Sequence, residues 1–180
     1  MKRTLLTFLS FFILLNLHAQ AEYMVLLHSG EQIWAENARD YANEAFISAQ
    51  EAIDGNYYRF LQFNAIPSQG ELNNLTNHGI ELLEYIPNKA YVASIPVGFD
   101  VKLLPDLNVR SVIPIVKELK MRHDLLAGNL PDYAVKGNRV ELMLKYYKNL
   151  RHDAVLDWCR NDGVKVLAEN GFNNVIRVSI

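Results

Sequence analysis

The chain has 180 residues, half of them hydrophobic and 21% charged, with a net charge of −2 and a pI near 6.2. That length and apolar fraction suit one ordinary domain or two small ones, each with a buried core. The charge balance lacks the basic excess that nucleic-acid or anionic-membrane partners call for, and the single cysteine, Cys159, excludes an intrachain disulfide, so packing must hold the fold together.

Residues 1–21 read as an export leader. Lys2 and Arg3 give a positive start, residues 5–17 form an apolar run too short to cross a membrane, and Ala19-Gln20-Ala21 supplies a small-x-small cleavage pattern. Removal is expected after Ala21 or Ala19, leaving an exported protein with no membrane partner; a buried N-terminal helix is the alternative. Residues 22–56 then read as a hairpin followed by a helix. YMVLL and EQIWAE flank His28-Ser29-Gly30, a turn signal. Over residues 38–53, Ala38, Tyr41, Ala42, Ala45, Phe46, Ala49, Ala52 and Ile53 recur at the spacing of one helix face.

Residues 57–120 form the first unit on this reading. YYRFLQFNAI is an aromatic-rich strand ended by Pro67. Ser68 and Glu71 fit a capping box, Leu72 and Leu75 face one way, and Gly79 stops the short helix. Strands are expected over residues 80–86 and 90–95 around Pro87-Asn88-Lys89, then a short helix over residues 100–107 with Pro105 awkwardly inside it, then a strand over residues 109–116 whose Pro114 argues for a sheet edge. The order is β-α-β-β-α-β, so the expected class is α+β, with ferredoxin-like split β-α-β units in tandem.

The tandem arises because the C-terminal stretch, residues 138–180, repeats the first unit. Phe60 to Phe63 match Met143 to Tyr146, Leu75 matches Cys159, Gly79 matches Gly163, Leu82 matches Val166, and Tyr91, Ala93 and Ile95 match Ile176, Val178 and Ile180. Cys159 thereby takes the place of an inward leucine, with a reactive thiol as the alternative. The second copy supplies only β-α-β-β. Ile180 is therefore expected to be an artificial boundary inside an incomplete unit; the alternative is a three-stranded sheet completed by the N-terminal hairpin.

GIELLEYIPNKAYVASIP, residues 79–96, together with YYRFLQFNAIP before it, resembles the N-terminal region found ahead of the catalytic domain in secreted bacterial subtilisin-like serine peptidases. The resemblance implies a propeptide-like ferredoxin fold that assists folding of the peptidase and inhibits it, with the peptidase domain as partner in cis or in trans. This chain departs from that pattern in having two units, no tail after the second and no catalytic domain.

No catalytic residue and no cofactor is assigned. Glycine-flanked Asp, His or Ser segments of the subtilisin type and a GxSxG elbow are missing from the sequence. Ser94, Ser111 and Ser179 fall in strands, and His28, His78, His123 and His152 show no paired metal-ligand spacing, so no metal site is expected. His78 is read as serving the helix C-terminus, and Asn74-Leu75-Thr76 is a glycosylation sequon by pattern alone. The sharper signal is strand alternation. If Leu61, Phe63, Leu82, Tyr91 and Ala93 face the helices, then Phe60, Gln62, Leu83, Tyr85, Val92 and Ser94 face outward. Phe60, Leu83, Tyr85 and Val92 form the expected partner surface, the alternative being that the second unit or the helix over residues 38–53 covers them. The functional expectation is a non-catalytic pro-region fragment of an exported peptidase, with a stand-alone binding or inhibitor module acting in trans as the alternative. A small hydrolase built on Cys159 or a serine is a third reading without a supporting motif.

Overall fold

The computed structural model describes residues 23–27, 30–34 and 51–180. The expected leader, and all but the last positions of the expected helix over residues 38–53, lie outside them; Ile53 itself forms a β-bridge with Asn56. The fold is α+β, with antiparallel sheets and few helices, and it divides into two compact units, residues 1–115 and 116–180.

In the first unit, β1 (Met24–Leu26) and β2 (Gln32–Trp34) pair as the expected hairpin. The main sheet contains β3 (Asn56–Phe63), β4 (Glu81–Ile86), β5 (Ala90–Pro96) and β6 (Val109–Pro114) in the order β4-β5-β3-β6, every pair antiparallel. It follows that β3 and β4 run parallel with β5 inserted between them. Helix α1 (Gln69–Asn77) makes the β3-to-β4 crossover. Its start is the expected capping box: Ser68 accepts from the Glu71 N–H, and the Glu71 carboxylate accepts from the Ser68 N–H at 2.7 Å. Leu61, Phe63, Leu75, Ile80, Ala93 and Ile95 form the core on the helix side, as alternation along the strands predicts.

The helix expected over residues 100–107 is instead two 3-10 turns, Val101–Leu103 and Pro105–Leu107. Pro105 brings no N–H, and in an α-helix its ring would strike the carbonyl of Val101. The inward pattern survives the change: Leu104 and Leu107 are buried in the same core as Leu61, Val109 and Val112. β6 is an edge strand, as expected, but it ends at Pro114 and not at residue 116.

The second unit opens with two single-turn helices, α2 (Lys117–Lys120) and α3 (His123–Leu126), and then β7 (Val135–Lys136), β8 (Arg139–Lys145), α4 (His152–Asn161), β9 (Lys165–Asn170) and β10 (Val175–Ser179). Its sheet order is β7-β8-β10-β9. The three strands of the expected repeat are present. The fourth position is filled by β7, a two-residue strand too short to leave a sequence signal; the N-terminal hairpin strands pair with each other instead.

The internal repeat extends to register. Leu61 pairs with Tyr91 and Leu82 with Ala93 in the first sheet; the matched residues Leu144 and Ile176, and Val166 and Val178, pair in the second. Both helices end in the same Schellman motif. The Ile80 N–H donates to the Leu75 carbonyl and the Gly79 N–H to that of Thr76; the Val164 N–H donates to that of Cys159 and the Gly163 N–H to that of Arg160. Gly79 and Gly163 both hold the left-handed backbone the motif needs, at φ +78° and +71°.

Candidate interaction surface

The face of the first sheet opposite α1 does not present the expected open patch. Phe60, Leu83 and Val92 are buried, along with Gln62 and Ser94. Among the described residues, Tyr23 and the start of β1 meet the sheet at its Gln62–Asn88 end. Gln62, fully buried, donates through Nε2 to the Tyr23 carbonyl (2.8 Å) and the Asn88 carbonyl (3.0 Å), and its Oε1 accepts from Arg110 (2.9 Å). Asn88 in turn donates to the Met24 carbonyl. The Tyr23 ring sits under two cations, with the Arg110 guanidinium 4.0 Å and the Lys89 ammonium 4.7 Å from its centroid. Gln62 keeps one amide hydrogen on Asn88 and its oxygen on Arg110 whatever β1 does, but its second amide hydrogen has its acceptor only while Tyr23 is in place.

Tyr85 is a separate correction. Strict alternation sends it outward, but Leu83 is an extra residue: Leu82 pairs with Ala93 and Glu84 with Val92. This β-bulge shifts the phase of everything after it. Tyr85 therefore pairs with Tyr91 on the helix side, their ring centroids 5.2 Å apart, and Tyr91 meets Phe63 edge-on at 5.8 Å. Burial raises the Tyr91 phenol above its usual value, with a smaller contribution from Tyr85. Of the four expected interface residues only Tyr85 is substantially accessible, at 49%.

The second sheet has the same bulge at the matched position. Leu167 is the extra residue between the pairs Val166–Val178 and Ala168–Arg177. Its outer face is open and mainly charged: Met143, where Phe60 stands in the first unit, is 70% exposed, and Lys145 and Arg177 flank it in solvent.

Behind the bulge, the two units differ in chemistry. Where the first has the Phe63–Tyr91–Tyr85 stack, the second has Tyr146, His152 and Glu169. The Tyr146 hydroxyl and His152 Nδ1 share a hydrogen bond of 2.7 Å, and His152 Nε2 meets Glu169 Oε2 at 2.8 Å. A neutral imidazole protonated on Nε2 satisfies both neighbours, donating to the carboxylate and accepting from the phenol. The chain of bonds ties the ends of β8 and β9 to the first turn of α4. Sequence reading singled out His152 only to dismiss a metal, since its partners lie 6 and 17 residues away at no motif spacing.

The remaining reactive groups have structural partners. Cys159 is buried, and that burial, aided by the Asp162 carboxylate, raises its thiol above the usual range, away from the thiolate a nucleophile requires. Ser94, Ser111 and Ser179 are buried in strands, where Arg110 donates to Ser111 and Arg139 to Ser179. His78 Nδ1 bonds the Asn74 carbonyl at 2.9 Å, serving the helix C-terminus as expected. Among the described residues no three His, Cys, Asp or Glu side chains gather as a metal site would require, and no helix is long and apolar enough to cross a membrane.

A family model described as Domain of unknown function (DUF8729) matches residues 26–116, from the last residue of β1 to just past β6. No curated protein and no solved structure matches the chain.

Proposed function

We propose, for a chain that belongs to the DUF8729 family, a non-catalytic role as part of the pro-region of an exported subtilisin-like serine peptidase, assisting folding of the peptidase domain and inhibiting it in cis through ferredoxin-like units. The observation that carries this reading is the place of residues 79–96 in the first unit. The stretch that bears the resemblance is one structural piece: the left-handed stop of α1, then the β4–β5 hairpin that completes the split β-α-β arrangement. The Schellman glycine, the bulge and the turn fix its register.

With Phe60, Leu83 and Val92 under cover, we assign the contact with the peptidase to the β4 edge around Tyr85, an edge strand with an exposed aromatic. The test is to add the purified chain to a denatured subtilisin-like peptidase during refolding, and separately to the active enzyme. A higher yield of active peptidase together with slowed hydrolysis of a peptide substrate supports the reading. Absence of both overturns it. An Asp-His-Ser catalytic domain encoded in frame beyond the Ile180 codon would mark action in cis, and an immediate stop codon action in trans.

A further inference from the structure

The turn between β9 and β10 carries the single Asn-Gly pair of the sequence, Asn170-Gly171. Asn170 is the last residue of β9 and pairs with Val175, and both residues of the pair are exposed. The Asn173 N–H closes the turn by donating to the Asn170 carbonyl at 3.3 Å. The Asn170 side chain folds over the same turn, its Oδ1 accepting from the Phe172 N–H at 3.2 Å. That bond turns the side-chain amide back toward the Gly171 peptide. Among the described residues, nothing accepts from the Gly171 N–H or from Asn170 Nδ2. Asp162-Gly163 differs, because its Gly163 N–H is tied to the Arg160 carbonyl.

We infer that Asn170-Gly171 is a self-modification site, at which the folded turn converts Asn170 to aspartate and isoaspartate. The Gly171 nitrogen gives its proton to hydroxide and bonds to Asn170 Cγ. Negative charge gathers on Oδ1, where the Phe172 N–H already donates. The Cγ–Nδ2 bond then breaks, and the amide nitrogen leaves as ammonia with a proton from water, which restores the hydroxide. One water opens the resulting succinimide ring. Cleavage of the ring nitrogen's bond to Cγ gives aspartate, and cleavage of its bond to the Asn170 main-chain carbonyl carbon gives isoaspartate. Water enters, ammonia leaves, and nothing is oxidised or reduced. Glycine suits the step because no Cβ crowds its nitrogen, and the ring closes without a second molecule.

The change bears on the Tyr146–His152–Glu169 chain. Glu169 bonds His152 Nε2, and a Cβ built on Gly171 would stand 3.6 Å from His152 Cγ, so Asn170 lies between two neighbours of one imidazole. Either product adds a carboxylate there, and isoaspartate also adds a methylene to the main chain. The site lies in the second unit and is independent of the peptidase reading.

The full chain is incubated folded at mildly alkaline pH and then cut with trypsin, and the peptide of residues 166–177 is followed by mass and by separation of its isomers. Aspartate and isoaspartate forms should both accumulate, with ammonia released in equal amount. Gly171→Ala should slow the conversion about tenfold. Its backbone is not left-handed, and the added methyl meets the His152 ring at ordinary contact distance, so the fold should be kept, as far-UV circular dichroism verifies. The isoaspartate fraction is read on the parent alone and needs no variant. Three results would overturn the proposal: conversion in urea but none in the folded chain, equal rates for Gly171→Ala and the parent, or aspartate as the sole product, which marks direct hydrolysis by water.

Discussion

Gly79 and Pro96, the two ends of the β4–β5 stretch, lie against each other: a Cβ built on Gly79 would stand 3.1 Å from Pro96 Cγ. Gly163, at the matched position of the second unit, has nothing within 4 Å of the same point. Both residues hold positive φ, so alanine is strained at either site by about 1 kcal/mol. Only at Gly79 must the proline ring also give way. Urea denaturation of the two alanine variants should show Gly79→Ala the more destabilised; equal effects would mean that the Pro96 contact contributes nothing.

The outer faces of the two sheets call for opposite responses to one change. Phe60→Asp places a charge in a buried site and should cost more than about 3 kcal/mol, enough to unfold a marginal domain. Met143→Asp, at the matched but exposed position, should stay within about 0.5 kcal/mol of the parent. Tyr85→Asp should be tolerated nearly as well, since the ring is half exposed at a strand edge. Thermal melts of the three variants check the pattern, and a stable Phe60→Asp protein would show that the cover on that face contributes little.

These contrasts mark how much the sequence could say. The capping box at Ser68, the paired Schellman glycines, the order of the strands in the first unit and the core positions of Leu61, Phe63 and Ala93 were legible because each rests on local chemistry or on a period of two. Tyr85 was misplaced because one inserted residue, Leu83, reverses every later side chain and leaves no mark in composition. Phe60 and Val92 are buried on a face where Gln62 meets the Tyr23 carbonyl, a contact 39 residues apart in sequence that no local pattern announces. The Tyr146–His152–Glu169 chain was hidden for the same reason: its members share a place only after α4 and β9 have folded back on β8.

Gln62 tests the cover directly. Gln62→Leu is nearly isosteric, but it strands the Tyr23 and Asn88 carbonyls and removes one acceptor from Arg110. Losing partners for buried polar groups costs about 1–3 kcal/mol. The loss should fall on β1 ahead of the main sheet, so limited proteolysis should cut within residues 23–34 faster than in the parent while β3 and β5 keep their slow amide exchange. Uniform loosening of both would show that the glutamine supports the sheet itself.

Acid should act on the start of α1. The Ser68 hydroxyl and N–H, with a smaller contribution from Asn108, hold the Glu71 carboxyl below the ordinary carboxylate range. A depressed folded-state pKa contributes stability that is present above the unfolded-state value and is lost as pH falls through the folded value. Glu71→Gln keeps the shape but no longer titrates. Its stability should therefore change less than the parent's between neutral and acid pH, read as the urea midpoint at each pH. Parallel pH profiles for the two proteins would mean that the carboxylate is held equally well in the unfolded chain.

Cys159 gives a readout of the second unit alone. It is the first residue of the Schellman motif, its carbonyl accepting from the Val164 N–H at 2.8 Å, and its thiol is buried and raised by that burial and by Asp162. Labelling by an uncharged thiol reagent should therefore be slow at neutral pH and should rise with urea in step with unfolding of residues 116–180. Gly163→Ala weakens the same motif without touching the sulfur, so it should speed labelling by the factor its destabilisation predicts, about fivefold for 1 kcal/mol. Gly79→Ala, in the other unit, should leave the rate unchanged if the two units open separately. Fast labelling of the native parent would instead place the thiol at the surface and restore the reactive-cysteine reading.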